Sequence, residues 1–190
     1  MINKIKKILG GFFLRREIKR VKRDREFVNL EMAKNVGIVY LASSQKDYDR
    51  IKMLTQYLKQ RDVRVLSIGF IENSDMERNF KTQLEYRFFA KKDLNWHFKP
   101  KCLEVRNFIS NSMDILIDLS LTECLPTHFV AGSSIARFKV GLAHKIGPQL
   151  YDMTIDVGNN KTLDYVIGNV KSYLDMINQE QQTNKFSPYA

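Results

Sequence analysis

The chain has 190 residues, enough for one domain with a real core, and 44% of them are hydrophobic, which excludes wholesale disorder. Its formal charge of +10 is unevenly placed: residues 1–26 carry ten Lys or Arg against Glu17, Asp24 and Glu26, whereas the remaining chain carries 21 basic and 18 acidic groups. Two cysteines, Cys102 and Cys124, make no disulfide framework, and no run of about 18 apolar residues is present to span a membrane.

In chain order, residues 1–26 read as helical. Ile2, Ile5, Ile8, Leu9, Phe12 and Phe13 follow helical spacing, with Gly10 and Gly11 as a potential hinge. Charges resume at Arg15 and Arg16 without a small-residue cleavage site, so a cleaved secretion signal is not expected. Val36–Ala42 is a continuous apolar run, the pattern of a strand covered on both faces. Ser43 and Ser44 offer a turn and a cap before a helix over Asp47–Gln60. Val63–Ile71 is a second strand, Asn73–Glu85 a short helix or loop, and Tyr86–Ala90 a third strand at an edge. Lys91–Pro100 is a loop, followed by a helix over Lys101–Ser112 and a strand over Asp114–Leu119. A helix over Glu123–Ala136 carries Pro126 in its first turn, where the missing N–H costs little. Phe138–Leu142 and Leu150–Val157 read as strands, and Leu163–Ile177 as a closing helix with Tyr173 on its apolar side. Both cysteines fall in segments read as helical.

Alternation of apolar strands with helices predicts an α/β fold: a mostly parallel, Rossmann-like or flavodoxin-like three-layer sheet preceded by a basic helical arm. The expected divisions are an arm at residues 1–30, an α/β domain at 31–178, and a polar disordered tail at 179–190.

The sheet should present a ligand cleft at the carboxyl ends of its strands, yet no Gly-rich phosphate loop stands there and no cofactor is expected. Ser43 and Ser44 could hold a phosphate at a helix start, although a simple cap and turn fits them better. Asp118, Ser120 and His128, with Thr122 and Glu123, form a second candidate cleft, but no nucleophile–base–orienter set is visible. His97, His128 and His144 are scattered and neither cysteine has a partner at ligand spacing, so no metal is expected. Trp96 and Phe98, among Lys91, Lys92, Lys99 and Lys101, could stack bases. The preferred reading makes them plugs of the core.

The strings VGIVYLA, FFAKKDLNW, DILIDLS, SSIARFKVGL and YDMTIDV, spread over residues 30–178, resemble an uncharacterised family of small bacterial proteins. The resemblance implies a Rossmann-like fold in a bacterial cytoplasmic protein. Asp114–Leu142 is also similar to one strand–helix–strand unit of the heptosyltransferase-like glycosyltransferases, which implies fold kinship and no activity.

The functional expectation is a non-enzymatic binding protein. Arg15, Arg16, Lys19, Arg20, Lys22, Arg23 and Arg25 would contact phosphates of RNA or a ribosomal particle. One alternative is a peripheral membrane protein at the inner face, anchored by the apolar residues of 2–13. Another is a binding domain or enzyme for a nucleotide or sugar phosphate at the strand ends. A further reading packs the N-terminal helix on the body and leaves its basic side solvated.

Overall fold

The computed structural model describes residues 2–73, 80, 85–143, 146–158, 160 and 162–184. Six strands form one sheet: β1 (Asn35–Leu41), β2 (Arg64–Ile71), β3 (Tyr86–Ala90), β4 (Ile115–Asp118), β5 (Phe138–Leu142) and β6 (Met153–Ile155). Their order is β3-β2-β1-β4-β5-β6 and every pair is parallel. This is the Rossmann-like arrangement expected, with β3 at the edge.

Alternation along the strands builds two cores. In β1, Val36, Ile38 and Tyr40 face one side and Val39 the other. The first side is covered by α2 (Gln45–Lys59), through Ile51, Leu54 and Leu58, and by α6 (Leu163–Asn184), through Leu163, Val166, Val170 and Leu174. Tyr173, expected on the apolar side of α6, is 46% exposed. The second side is covered by α3 (Leu103–Ile109), α4 (Leu125–Ser133) and the four-residue α5 (Gly147–Leu150). The predicted strand over 150–157 shrinks to β6 because Leu150 and Tyr151 turn into this second core. Each cysteine precedes a helix rather than lying within it, Cys102 at the start of α3 and Cys124 at the start of α4.

The N-terminal basic segment forms α1 (Ile2–Arg20), which does not stand apart as an arm. It packs on α4, and Gly10 and Gly11 lie within a continuous helix rather than at a hinge. A Cβ on Gly10 would sit 2.9 Å from the His97 carbonyl oxygen and 3.0 Å from Leu125, so the missing side chain is what allows the approach. Leu14, fully buried, and Ile18 seat against Gly132 of α4. Glu17 accepts hydrogen bonds from Lys99 at 2.8 Å and from the Ser133 hydroxyl at 3.2 Å. Most of the face that sequence spacing singled out points away from the body. Ile5, Ile8, Leu9 and Phe12 are all exposed, and Phe13 is half-buried.

The chain then passes beneath the amino ends of β4, β5 and β6. Arg23 is clamped to Asp152, Glu26 pairs with Arg137, and Arg137 reaches Asp114 at 3.1 Å. Val28 and Leu30 enter the core under α6, with the Leu30 N–H on the Leu174 carbonyl. Residues 28–30 are therefore packed with the body, so 30/31 does not divide two units. At the other end α6 continues to Asn184, past the expected boundary at 178. Residues 185–190, most of the expected helix or loop at 73–85, and His144 lie outside the described residues.

Candidate functional site

The sheet changes winding direction between β1 and β4, where parallel α/β folds open a crevice at the strand carboxyl ends. A cavity of about 570 Å³ lies there. Leu41, Phe70 and Glu72 bring the ends of β1 and β2 to it, and Thr122, Glu123 and Cys124 bring the turn after β4. Leu125, Pro126 and His128 of α4 form another wall, and Leu94, Trp96 and Phe98 a third. The remaining wall is α1, through Lys6, Lys7, Gly11 and Arg15.

That last wall decides the electrostatics. Lys6, Lys7, Arg15 and Lys91 line the cavity against Glu72 and Glu123, so cations outnumber carboxylates by four to two. Lys91 approaches Glu72 at 3.9 Å with both side chains largely exposed, a contact worth little in solvent. Much of the remaining lining is aliphatic or aromatic. Such a cavity suits an anion attached to an apolar body.

The loop after β3 is shaped by Asn95, whose side-chain oxygen accepts from the His97 and Lys99 N–H groups at 3.1 and 2.9 Å. Phe98 is held at φ 69°, a left-handed backbone that is costly for a bulky residue. The turn carries His97 against α1, its ring stacked on Phe13 with centroids 4.5 Å apart. Trp96 meets Phe13 edge-on at 5.7 Å and is 55% exposed, so it is no plug of the core.

Of the cleft residues expected from sequence, Thr122, Glu123 and His128 line the cavity, whereas Ser43, Ser44, Asp118 and Ser120 do not. Ser44 caps α2 by accepting from the Asp47 N–H at 3.1 Å, and α2 packs on the opposite face of the sheet. Ser43, beside it, is exposed and also outside the lining. Asp118 and Ser120, each 2% exposed, are engaged in the turn itself. Asp118 accepts from the Tyr151 hydroxyl at 2.6 Å and the Ser120 N–H at 2.9 Å, and the Ser120 hydroxyl bonds Thr127 at 2.9 Å. Burial and the neighbouring carboxylate hold the Tyr151 phenol well above its ordinary range. Sequence reasoning missed Lys6, Lys7 and Glu72, because nothing local places residues 6–15 over a strand end some sixty residues away.

The expected phosphate contacts also divide. Arg15 lines the cavity, while Arg16, Lys19, Arg20 and Lys22 are exposed. Arg25 is exposed but lies 3.9 Å from Asp152. Arg23 does not belong in the set. Its side chain is only 6% exposed and is consumed by Asp152 and the carbonyls of Ala136 and Arg137.

Burial pushes the Cys124 thiol in the cavity wall up to about 11, so it is held as a thiol rather than a reactive thiolate. Among the described residues, no three His, Cys, Asp or Glu side chains converge as a metal site would need. No helix among them is long and apolar enough to cross a membrane.

No match is found among the curated proteins or the solved structures. Residues 6–177 match the sequence model of a family described as a family of unknown function (DUF6913), a span that takes in most of α1. The chain therefore belongs to that family of unknown function, with the helix that walls the cavity inside the shared region.

Proposed function

We propose that this chain binds a small anionic molecule with an apolar portion between α1 and the carboxyl ends of β1, β2 and β4. One observation carries the reading: the cavity at the winding switch is closed by a helix that turns Lys6, Lys7 and Arg15 into it. The absence of a Gly-rich loop argues against a dinucleotide held by backbone amides. Side-chain cations then carry the anion, and the apolar wall carries the rest. The likeness of Asp114–Leu142 to a glycosyltransferase unit adds nucleotide sugars to the candidates. Burial holds the Cys124 thiol of the lining in its protonated form, and binding, rather than turnover, is the activity proposed.

A thermal-shift panel of nucleoside monophosphates, nucleotide sugars, sugar phosphates and acyl phosphates tests this, because a ligand that binds only the folded state must raise Tm. At least one class should stabilise the wild type, and Lys7→Glu with Arg15→Glu should abolish that shift. No shift in any class, or one indifferent to the two substitutions, overturns the reading.

A second reading keeps RNA as partner of the outward basic side chains Arg16, Lys19, Arg20, Lys22 and Arg25. Their continued exposure along and beyond α1 favours it. Each phosphate neutralised releases counterions, so affinity should fall steeply with salt. Filter binding that is flat from low to high salt removes this reading.

A further inference from the structure

The docking of α1 leaves a consequence on its outer side. The helix turns Gly10, Leu14 and Ile18 to the body and presents Ile5, Ile8, Leu9 and Phe12 to solvent at 52, 66, 39 and 58% exposure. The apolar surface does not end with the helix. Phe12 meets Phe13 edge-on at 5.8 Å and Phe13 meets Trp96 at 5.7 Å, which extends it onto a ring that is itself more than half exposed. A contiguous outward patch of this kind on a protein surface marks an interaction site.

Charge identifies what covers it. α1 holds seven Lys or Arg and one acid, Glu17, and that acid is already paired with Lys99. A second copy laid on the same face would bring two such helices together, like charge against like. RNA offers phosphates for the cations but no apolar surface for Ile5, Ile8 and Leu9, which cannot stack on bases as an aromatic can. An anionic bilayer answers both features. Its head groups take Arg16, Lys19 and Arg20, which are exposed and outside the cavity lining, its acyl boundary takes the aliphatic side chains, and a tryptophan half in and half out suits the interfacial zone. We infer that α1 and Trp96 form a peripheral docking surface for a membrane rich in anionic lipid, with the helix lying in the plane of the interface.

The face shares Trp96 with the cavity wall, but Ile5, Ile8, Leu9 and Phe12 are absent from that wall. The two proposals can therefore fail independently.

The test is flotation of the full chain with vesicles of phosphatidylglycerol mixed into phosphatidylcholine, and with phosphatidylcholine alone. Binding is expected only to the anionic vesicles. The double variant Ile8→Asp/Phe12→Asp should lower partitioning about tenfold or more, since it removes apolar area and adds negative charge. Both positions point into solvent, so the variant should keep the wild-type Tm. Met53→Asp, at an exposed position of α2 on the other face of the sheet, should float like the wild type. A folded wild type that stays with the unbound fraction overturns the inference. So does binding that the double variant retains. A wild-type dimer in sedimentation that the double variant dissolves would assign the face to a second copy, and also overturns it.

Discussion

Arg23 grips Asp152 with both arms of its guanidinium, Nη1 to Oδ2 at 2.8 Å and Nη2 to Oδ1 at 2.7 Å. The same Nη1 also donates to the Ala136 and Arg137 carbonyls at 3.1 and 3.0 Å. A residue that reads from sequence as one cation in a basic tail is a clasp between the end of α1 and the amino ends of β5 and β6. Only a planar fork satisfies this geometry. Arg23→Ala should cost about 1–3 kcal/mol in urea denaturation, because it removes the paired hydrogen bonds to Asp152, which keeps only the Lys139 N–H at 2.9 Å and Arg25 at 3.9 Å, and those to the two carbonyls. Arg23→Lys should recover less than half of that, and full recovery would show that charge alone suffices.

Gly10 and Gly11 are neighbours with opposite expected outcomes. Alanine at position 11 meets nothing within 4 Å, so the ordinary helix preference should act and stabilise by about 0.5–1 kcal/mol. Alanine at position 10 meets the His97 carbonyl and Leu125, and α1 must lift to admit it. The expected result is a loss of about 1–3 kcal/mol, overpacking outweighing helix propensity. Chemical denaturation of both variants reads the sign directly.

Lys139 is 3% exposed and donates from Nζ to the Ala131 carbonyl at 2.6 Å. Burial first, then the Arg23 charge, lowers its ammonium from the ordinary 10.5 to about 7, although Asp152 pulls the other way. Below about pH 7 both folded and unfolded chains hold this proton, so the group contributes no slope there. Between about 7 and 10.5 only the unfolded chain keeps it, so stability should rise with pH across that window. In urea midpoints, the wild type should gain more than Lys139→Met between pH ~7 and ~9. Parallel curves would show that Lys139 stays protonated in the fold.

Tyr151→Phe tests the network behind the turn after β4. The phenol is a principal donor to the buried Asp118 carboxylate. Its removal should cost about 1–3 kcal/mol, with the ring packing preserved. A neutral result would mean that water replaces the hydroxyl.

Cys124 reports on the seating of α1. Its thiol, raised to about 11, should react slowly with a disulfide reagent near neutral pH. Gly10→Ala and Arg23→Ala should both accelerate the reaction by loosening the cavity wall, as stopped-flow absorbance would show. Equal rates in all three proteins would place α1 motion outside the path of access.

Apolar runs and helical spacing located the strands, apart from the bounds of β6, together with the helices on both sheet faces and an edge strand at Tyr86–Ala90. These rest on local alternation, and two-sided burial leaves a plain mark in runs such as VGIVYLA. One clue to the docking of α1 was also present. Leu125–Ala136 contains no Asp, Glu, Lys or Arg, and a helix apolar all round needs cover on its outer side as well as from the sheet. The tertiary structure decided what supplies that cover, and by which face. The contact uses Gly10, Leu14 and Ile18 rather than Ile5, Ile8, Leu9 and Phe12, since the close approach at Gly10 is set by what is missing from a side chain and not by hydrophobic spacing. It also decided that Asp118 and Ser120 serve the turn, that Arg23 is a clasp, and that Lys6, Lys7 and Arg15 wall a cavity at strand ends distant in sequence. Those roles depend on long-range juxtaposition, for which residue order along the chain carries no local signal.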